Sequence, residues 1–159
     1  MAQDIDFLDI LANNLLEYGA NHGQSINNNI RLLVFEDFEE SFASSVNVEE
    51  AAVFSSEYLA GIAASNSLIE DADEVWIAPD SHSAIVPHGH KPSAQLNFSQ
   101  WKNECLEQAD TLSPRKIIII GNALDPILCE IHDYSWLSEI AKKHQVFQLI
   151  DDSHAFGTI

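Results

Sequence analysis

Acidic and histidine side chains directly follow a mostly apolar segment near residue 150. Residues 147–150 predict a short strand, and Asp151, Asp152 and His154 come in the turn after it. Carboxylates and imidazoles bind zinc or manganese, and they also form charge-assisted hydrogen bonds. Because open α/β sheets bind their ligands beyond the carboxyl ends of the strands, this turn is a candidate binding site.

Polar turns end the other predicted strands in the same way. They are Ser55-Ser56 after residues 51–54, Asp80-Ser81-His82 after residues 75–78, and residues 122–125 after residues 116–120. Taken singly, each turn has a plain interpretation as a helix cap or a surface turn. Their recurrence at successive strand ends favours one crevice that collects them all.

Strands alternate with helices from residue 51 onward, which predicts an α/β fold with a mostly parallel sheet and flanking helices. Residues 116–120, Lys-Ile-Ile-Ile-Ile, form the clearest strand, because an unbroken β-branched run is typical of a parallel strand buried on both faces. Apolar spacing predicts five helices. Three of them lie at residues 5–18, at about 33–45 and at residues 98–109. A fourth follows Ser56, with Leu59, Ile62 and Ala63 facing inward, and a fifth follows Asp133, with Leu137, Ile140 and Ala141 facing inward.

The pattern also predicts the division of the chain. We expect an N-terminal helical segment, residues 1–48, with a Gly- and Asn-rich loop at residues 19–29 between its two helices. An α/β domain, residues 49–159, would follow. No internal repeat or low-complexity segment interrupts either part.

Composition excludes several classes of partner. The 25 acidic residues against 7 basic ones give a formal net charge of −18, which disfavours binding to nucleic-acid phosphates and to anionic membrane surfaces. No apolar run approaches the roughly 20 residues of a transmembrane helix, and the first residues lack the basic segment of a secretion signal. Cys105 and Cys129 are too few for a disulfide framework. We therefore expect a cytoplasmic protein that binds neither nucleic acid nor a membrane.

Residues 150–157, Ile-Asp-Asp-Ser-His-Ala-Phe-Gly, resemble the Asp-[Asp/Glu]-[Ala/Ser]-His-x-x-Gly segment of fold-type I pyridoxal-phosphate enzymes. The most similar branch is that of the α-oxoamine synthases, grouped with the class I/II aminotransferases. Residues 49–56 resemble the family's acidic-Ala-apolar-Phe-x-Ser segment, and residues 80–83 match the next strand end. Tyr18-Gly19-Ala20 with Gly23-Gln24-Ser25 is similar to an earlier glycine-rich stretch. The fold this implies is an incomplete large domain of such a transferase.

The resemblance implies pyridoxal 5′-phosphate as the cofactor and assigns its ring to three side chains. Asp151 would contact the pyridinium nitrogen, where a carboxylate favours the protonated ring. His154 would lie near the phenolic oxygen of the ring. His82 would stack on the ring face.

The phosphate and the oxygen side of the ring would contact other residues. Backbone N–H groups of Ser56, Glu57 and Tyr58, at the start of a helix, would bind the phosphate. Either Asn122 or Asp125 would approach the oxygen side of the ring, since the register of this turn leaves both open.

The sequence departs from the family at three points. Glu57 stands where the family usually has Gly, and a carboxylate beside a phosphate is unfavourable unless it turns outward. Ile26 stands where related enzymes often have Arg. The family's cofactor-attaching lysine lies beyond the 151–157 motif, whereas all five lysines of this sequence precede it: Lys91, Lys102, Lys116, Lys142 and Lys143. The resemblance therefore implies the N-terminal part of a longer enzyme, with the attaching lysine and two later strands absent, and we assign no catalytic residue here.

Three functions follow from these observations. The first is a pyridoxal-phosphate-dependent transferase that acts on an amino acid, by amine transfer or by acyl transfer from acyl-CoA, and the family implies a homodimer. The second is a metal-dependent hydrolase, which a tightly bound metal would favour and which would use these residues: Asp151, Asp152, His154, His82, His88 and His90. The third is a non-catalytic domain that binds a partner through exposed apolar edges.

Overall fold

The computed structural model describes residues 4–20, 33–93 and 96–157. Its elements in chain order are α1 (Ile5–Tyr18), α2 (Leu33–Val46), α3 (Glu57–Ile69), β1 (Glu74–Ile77), α4 (Phe98–Thr111), β2 (Lys116–Asn122), α5 (Leu137–Ile140) and β3 (Gln145–Asp151). The chain divides into two compact units, Met1–Val53 and Phe54–Ile159. Helices alternate with parallel strands in the second unit, so the predicted α/β fold class is confirmed.

The first unit contains the two helices that apolar spacing predicts. α1 begins after Asp4, whose Oδ1 accepts hydrogen bonds from the backbone N–H groups of Asp6 and Phe7. It ends at Gly19, which takes a positive φ of 78°. No residue of α1 is buried, and α2 buries Ala43. In the described part of the chain, no helix is long and apolar enough to cross a membrane. Most of the predicted loop at residues 19–29 lies outside the described residues.

The predicted strand at residues 51–54 is wrong. These residues adopt no regular secondary structure, and the N–H of Val53 donates to Glu39 Oε1 at 2.8 Å. A carboxylate of α2 thus satisfies a backbone donor that a neighbouring strand would otherwise satisfy. A four-residue apolar run carries too little pattern to distinguish these two outcomes.

The sheet has the order β1-β2-β3, and both pairs are parallel. β2 lies in the centre, and its four isoleucines, residues 117–120, have no exposed area. This burial on both faces is what the unbroken β-branched run predicts. The other two predicted strands are also confirmed, each shifted or extended by a few residues.

The two faces of β2 support two clusters of buried side chains. Ile117 and Ile119 pack with residues of α4 and α5, including Trp101, Cys105 and Leu137, and with Trp136, which precedes α5. Ile118 and Ile120 pack on the opposite face with Ile77 and Ile85. This division follows from the alternation of side chains along a strand. A capping box between Asn97 and Gln100 begins α4, which places Trp101 and Cys105 toward the sheet.

The predicted helix after Asp133 is shorter than expected. Asp133 accepts hydrogen bonds from the N–H and Oγ of Ser135, at 2.8 and 2.9 Å, and so forms a local turn. α5 has four residues and buries Leu137 and Ile140, as the apolar spacing predicts. Ala141 is exposed, contrary to that prediction.

The two cysteines are expected to differ strongly in reactivity. Cys105 is buried, and this burial, with a smaller contribution from Glu104, raises its pKa to about 12. Cys129 is exposed. Because the thiolate is the reactive form, Ellman's reagent at pH 8 should titrate one thiol rapidly in the native protein and two after denaturation. Cys129→Ser should remove the fast phase, and a fast phase that survives this substitution would contradict the burial of Cys105.

Candidate functional site

Four of the predicted site residues lie at the carboxyl edge of the sheet, and three of them form one cluster. The β2–β3 register places Asn122 opposite Asp151, and the turn after β1 carries His82. Glu57, at the start of α3, joins them. One ligand-type atom from each of Glu57, His82 and Asp151 lies within 4.8 Å of the other two. We call these residues the edge cluster, and a parallel sheet binds ligands at this edge.

Asp151 ends β3 with one carboxylate oxygen fixed. Its Oδ1 accepts hydrogen bonds from the N–H of Ser153, at 3.0 Å, and from its hydroxyl, at 2.6 Å. Its backbone oxygen accepts from the N–H of Ala123 at 2.8 Å. These contacts orient a half-buried carboxylate whose second oxygen accepts no hydrogen bond from the described residues. That second oxygen is suited to accept a hydrogen bond from a ligand.

His82 is held by the side chain of Asn122. The Asn122 amide is buried, with Nδ2 donating to the backbone oxygen of Asp80 at 2.7 Å and Oδ1 accepting from the N–H of His82 at 3.2 Å. The N–H of Ala84 donates to His82 Nδ1 at 3.3 Å. The exposed imidazole is thus oriented by neighbouring backbone. Both ends of the Asn122 amide hold backbone groups of the turn after β1, and the prediction that Asn122 approaches the oxygen side of a cofactor ring stays a prediction.

α3 directs its N-terminus to the same edge. Ser56 caps the helix by accepting a hydrogen bond from the N–H of Leu59 at 3.3 Å. The N–H groups at the start of a helix have no intrahelical acceptor and can bind an anion. Ser56, Glu57 and Tyr58, predicted to offer such groups, are all exposed at this end.

Close packing at Gly61 places α3 beside the turn that carries His82. A Cβ atom at Gly61 would lie 2.7 Å from the backbone oxygen of Ala84. Gly61 and Ser65 are buried, whereas Leu59 and Ala63 are exposed. The predicted inward face is therefore wrong for Leu59 and Ala63, whereas Ile62 is half-buried. Small residues allow this close approach, and an amphipathic pattern gives no sign of it.

Glu57 points toward the other members of the edge cluster. A carboxylate beside a phosphate is unfavourable unless it turns outward. In the structure a Glu57 oxygen instead lies within 4.8 Å of ligand-type atoms of His82 and Asp151. Two carboxylates therefore face one imidazole in an exposed site.

The remaining predicted residues lie outside the edge cluster. His154 is exposed in a turn where the N–H groups of Ala155 and Phe156 donate to the backbone oxygen of Asp152. Asp125 Oδ1 accepts from the N–H groups of Ile127 and Leu128, and the Leu128 hydrogen bond is the main cause that lowers the pKa of Asp125. Of the residues described, His88 and His90 belong to neither group that could hold a metal ion.

A second group contains a residue that the sequence did not indicate. Asp80, Asp125 and His132 place one ligand-type atom each within 4.8 Å of one another. In the sequence, His132 is marked only by its position next to an apolar residue, Ile131. The bridge between Leu124 and Ile131 brings it back to the sheet edge.

Similar proteins were found among curated sequences. No protein-family model matches the chain. It is 24% identical to an 8-amino-7-oxononanoate synthase of Aromatoleum aromaticum over 165 residues, which cover 97% of this chain and 43% of the relative. The corresponding enzyme of Saccharophagus degradans is 24% identical over 99% of this chain and 40% of its own length. A putative one of Trichodesmium erythraeum is 28% identical over 78% and 33%.

The chain is related to the N-terminal part of the 8-amino-7-oxononanoate synthases. The resemblance to the α-oxoamine synthases, inferred from residues 150–157 and the segments before them, is thereby confirmed. The chain spans less than half the length of the 8-amino-7-oxononanoate synthases reported above. Sequence similarity of this extent supports a relationship to this family and its α/β fold class, whereas the roles of individual side chains stay predictions.

Proposed function

We propose that this chain is the cofactor-binding, N-terminal part of a pyridoxal-phosphate-dependent acyltransferase of the α-oxoamine synthase type. The single observation that carries the proposal is the convergence of His82, Asp151 and the start of α3 at one sheet edge. The relationship to 8-amino-7-oxononanoate synthases supports acyl transfer over amine transfer. An amino acid and an acyl-CoA are the proposed substrates of the whole enzyme, with a homodimer as its proposed assembly and the cytoplasm as its location.

The described residues fit the cofactor in three respects. The second oxygen of Asp151 can accept a hydrogen bond from a protonated ring nitrogen, while Oδ1 stays bound to Ser153. The imidazole of His82 is exposed, and the backbone N–H of His82 is held by the Asn122 side chain. The α3 N-terminus offers N–H groups and the positive end of a helix dipole to a phosphate. The negatively charged carboxylate of Glu57 is unfavourable for phosphate binding at this helix end.

Each residue has a separate part in the proposed function. When bound, pyridoxal phosphate supplies an electron sink for charge that develops at the α-carbon of an amino acid. Asp151 holds the proton on the ring nitrogen, which keeps the ring in its electron-accepting form. His82 orients the ring face, and Asn122 acts through His82 as a positioning residue. We assign the covalent attachment of the cofactor to none of the described residues.

Titration with pyridoxamine 5′-phosphate tests this proposal. This compound lacks the aldehyde, so its binding does not depend on a lysine. We expect a saturable site, with one ligand per chain, that pyridoxamine without the phosphate fills much more weakly. Isothermal titration calorimetry would measure both. Failure of the native chain to bind either compound would overturn the proposed function.

The same titration in Glu57→Gln should give tighter binding. Removing the Glu57 charge relieves its repulsion of the phosphate, and an exposed charge pair of this kind is worth roughly 1.4-fold to fivefold in affinity at low salt. Glu70→Gln, at the other end of α3, is the matched control and should leave the affinity unchanged. Equal affinities in both variants and the native chain would place the phosphate away from Glu57.

The edge cluster is also relevant to the second hypothesis, a metal-dependent hydrolase. His82 and Asp151 belong to that hypothesis, and with Glu57 they could hold a metal ion. A Zn²⁺ ion that binds the native chain in competition with pyridoxamine 5′-phosphate, and whose binding is lost in His82→Gln while any Zn²⁺ at other residues is kept, would favour the hydrolase. Binding of pyridoxamine 5′-phosphate in the presence of a chelator would favour the transferase.

A further inference from the structure

Three side chains form a compact group beside the edge cluster. Asp80 lies in the turn after β1, and Asp125 lies in the turn after β2. His132 follows the bridge between Leu124 and Ile131, and its N–H donates to the backbone oxygen of Ala123 at 2.9 Å. The ligand-type atoms of the three lie within 4.8 Å of one another. We call this group the turn cluster.

Most of the turn cluster is shielded from solvent. The side chain of His132 is 5% exposed, that of Asp80 is 15% exposed, and His132 Nε2 lies 2.7 Å from Asp80 Oδ2. The ring of Phe98 stacks on the imidazole, with centroids 3.8 Å apart and planes at 3°. The imidazole is therefore fixed in position and orientation before any ligand binds.

One carboxylate oxygen in this buried group lacks a partner. Asp80 Oδ1 is inaccessible to solvent and has no hydrogen-bond partner among the described residues. A buried carboxylate oxygen without a partner is costly, so such atoms call for a physical explanation. A bound cation would satisfy this oxygen and would also offset two neighbouring negative charges.

Asp125 supplies the third ligand without disturbing its own turn. Its Oδ1 accepts two backbone hydrogen bonds, from Ile127 at 2.7 Å and Leu128 at 2.9 Å. Those bonds fix the carboxylate and leave the second oxygen for a cation. Two carboxylates and one imidazole are a ligand set that first-row divalent metal ions accept, with water in the remaining positions.

We infer that Asp80, Asp125 and His132 bind a divalent transition-metal ion of the Zn²⁺ or Mn²⁺ type. The ion would replace the hydrogen bond between His132 Nε2 and Asp80 Oδ2 and would join the turn after β1 to the turn after β2. These turns already meet through the Asn122 amide. Metal binding would therefore stabilise the sheet edge, because an ion that binds only the folded state raises the free energy of unfolding.

Calorimetric titration of the metal-free chain with ZnCl₂ tests this inference. To separate the two clusters, the edge cluster is first disabled by the double substitution Glu57→Gln and His82→Gln. In this background we expect a site for one Zn²⁺ ion and a higher melting temperature with Zn²⁺. His132→Gln should weaken binding at least tenfold, and so should Asp125→Asn, which keeps the Oδ1 that caps its turn.

Asp133→Asn is the matched control. Asp133 also accepts a backbone hydrogen bond within a local turn, but it lies outside both groups that could hold a metal. This variant should bind Zn²⁺ as its parent does. Loss of binding in Asp125→Asn with native circular dichroism would support the site. Absence of Zn²⁺ binding in the edge-disabled parent, or equal binding by Asp125→Asn and Asp133→Asn, would overturn it.

Discussion

Asp151→Asn is expected to weaken the binding of pyridoxamine 5′-phosphate by about 10- to 150-fold. This range corresponds to the loss of a hydrogen bond to a charged group, about 1.5–3 kcal/mol. An Asn side chain keeps the oxygen that accepts from Ser153, so the turn after β3 is retained while the negative charge is lost. Calorimetric titration of the native and substituted chains would measure the difference.

Asp152→Asn is the matched control for this prediction. Asp152 is the exposed neighbour of Asp151, so the substitution removes the same charge one residue away. We expect at most a small change in affinity, since exposed charges contribute little. Equal losses in the two variants would show that net charge, and not contact with the ring, governs binding.

Asn122→Ala is expected to lower the free energy of unfolding by roughly 2–6 kcal/mol. The substitution removes the partners of two backbone groups, the oxygen of Asp80 and the N–H of His82. Each buried polar group left without a partner costs about 1–3 kcal/mol. Urea denaturation followed by circular dichroism would measure the change.

The exposed Asn103 of α4 provides the comparison for Asn122. Asn103→Ala should change the free energy of unfolding by less than about 0.5 kcal/mol, as is usual for surface positions. Asn122→Ala should also weaken pyridoxamine 5′-phosphate binding, because the turn that carries His82 loses its anchor. Similar denaturation midpoints for the two variants would contradict the role of the Asn122 amide.

The sequence predicts most helices and strands of the second unit because their apolar patterns are long and regular. Four consecutive isoleucines define β2 and place it between two layers, and the spacing of Trp101 and Cys105 defines the inner face of α4. Short patterns are less informative. The strand expected at residues 51–54 is absent because a Glu39 carboxylate binds the N–H of Val53, a contact between residues 14 positions apart.

The candidate site is predictable in its location but not in its details. Parallel strands bring their carboxyl ends together, so the meeting of His82 and Asp151 follows from topology. The inward direction of Glu57 depends on the close packing of Gly61 against Ala84, which no local pattern reports. The turn cluster likewise depends on an isolated bridge that returns His132 to the sheet edge.

The most direct test of the proposed site is the protonation state of the bound ring. Pyridoxamine 5′-phosphate labelled with ¹⁵N in the ring would be observed by NMR, in complex with the native chain, at a pH where the free ring nitrogen has lost its proton. We predict the chemical shift of a protonated ring, and a shift toward the neutral form in Asp151→Asn. A neutral ring nitrogen in the native complex, unchanged by Asp151→Asn, would contradict the contact between Asp151 and the cofactor.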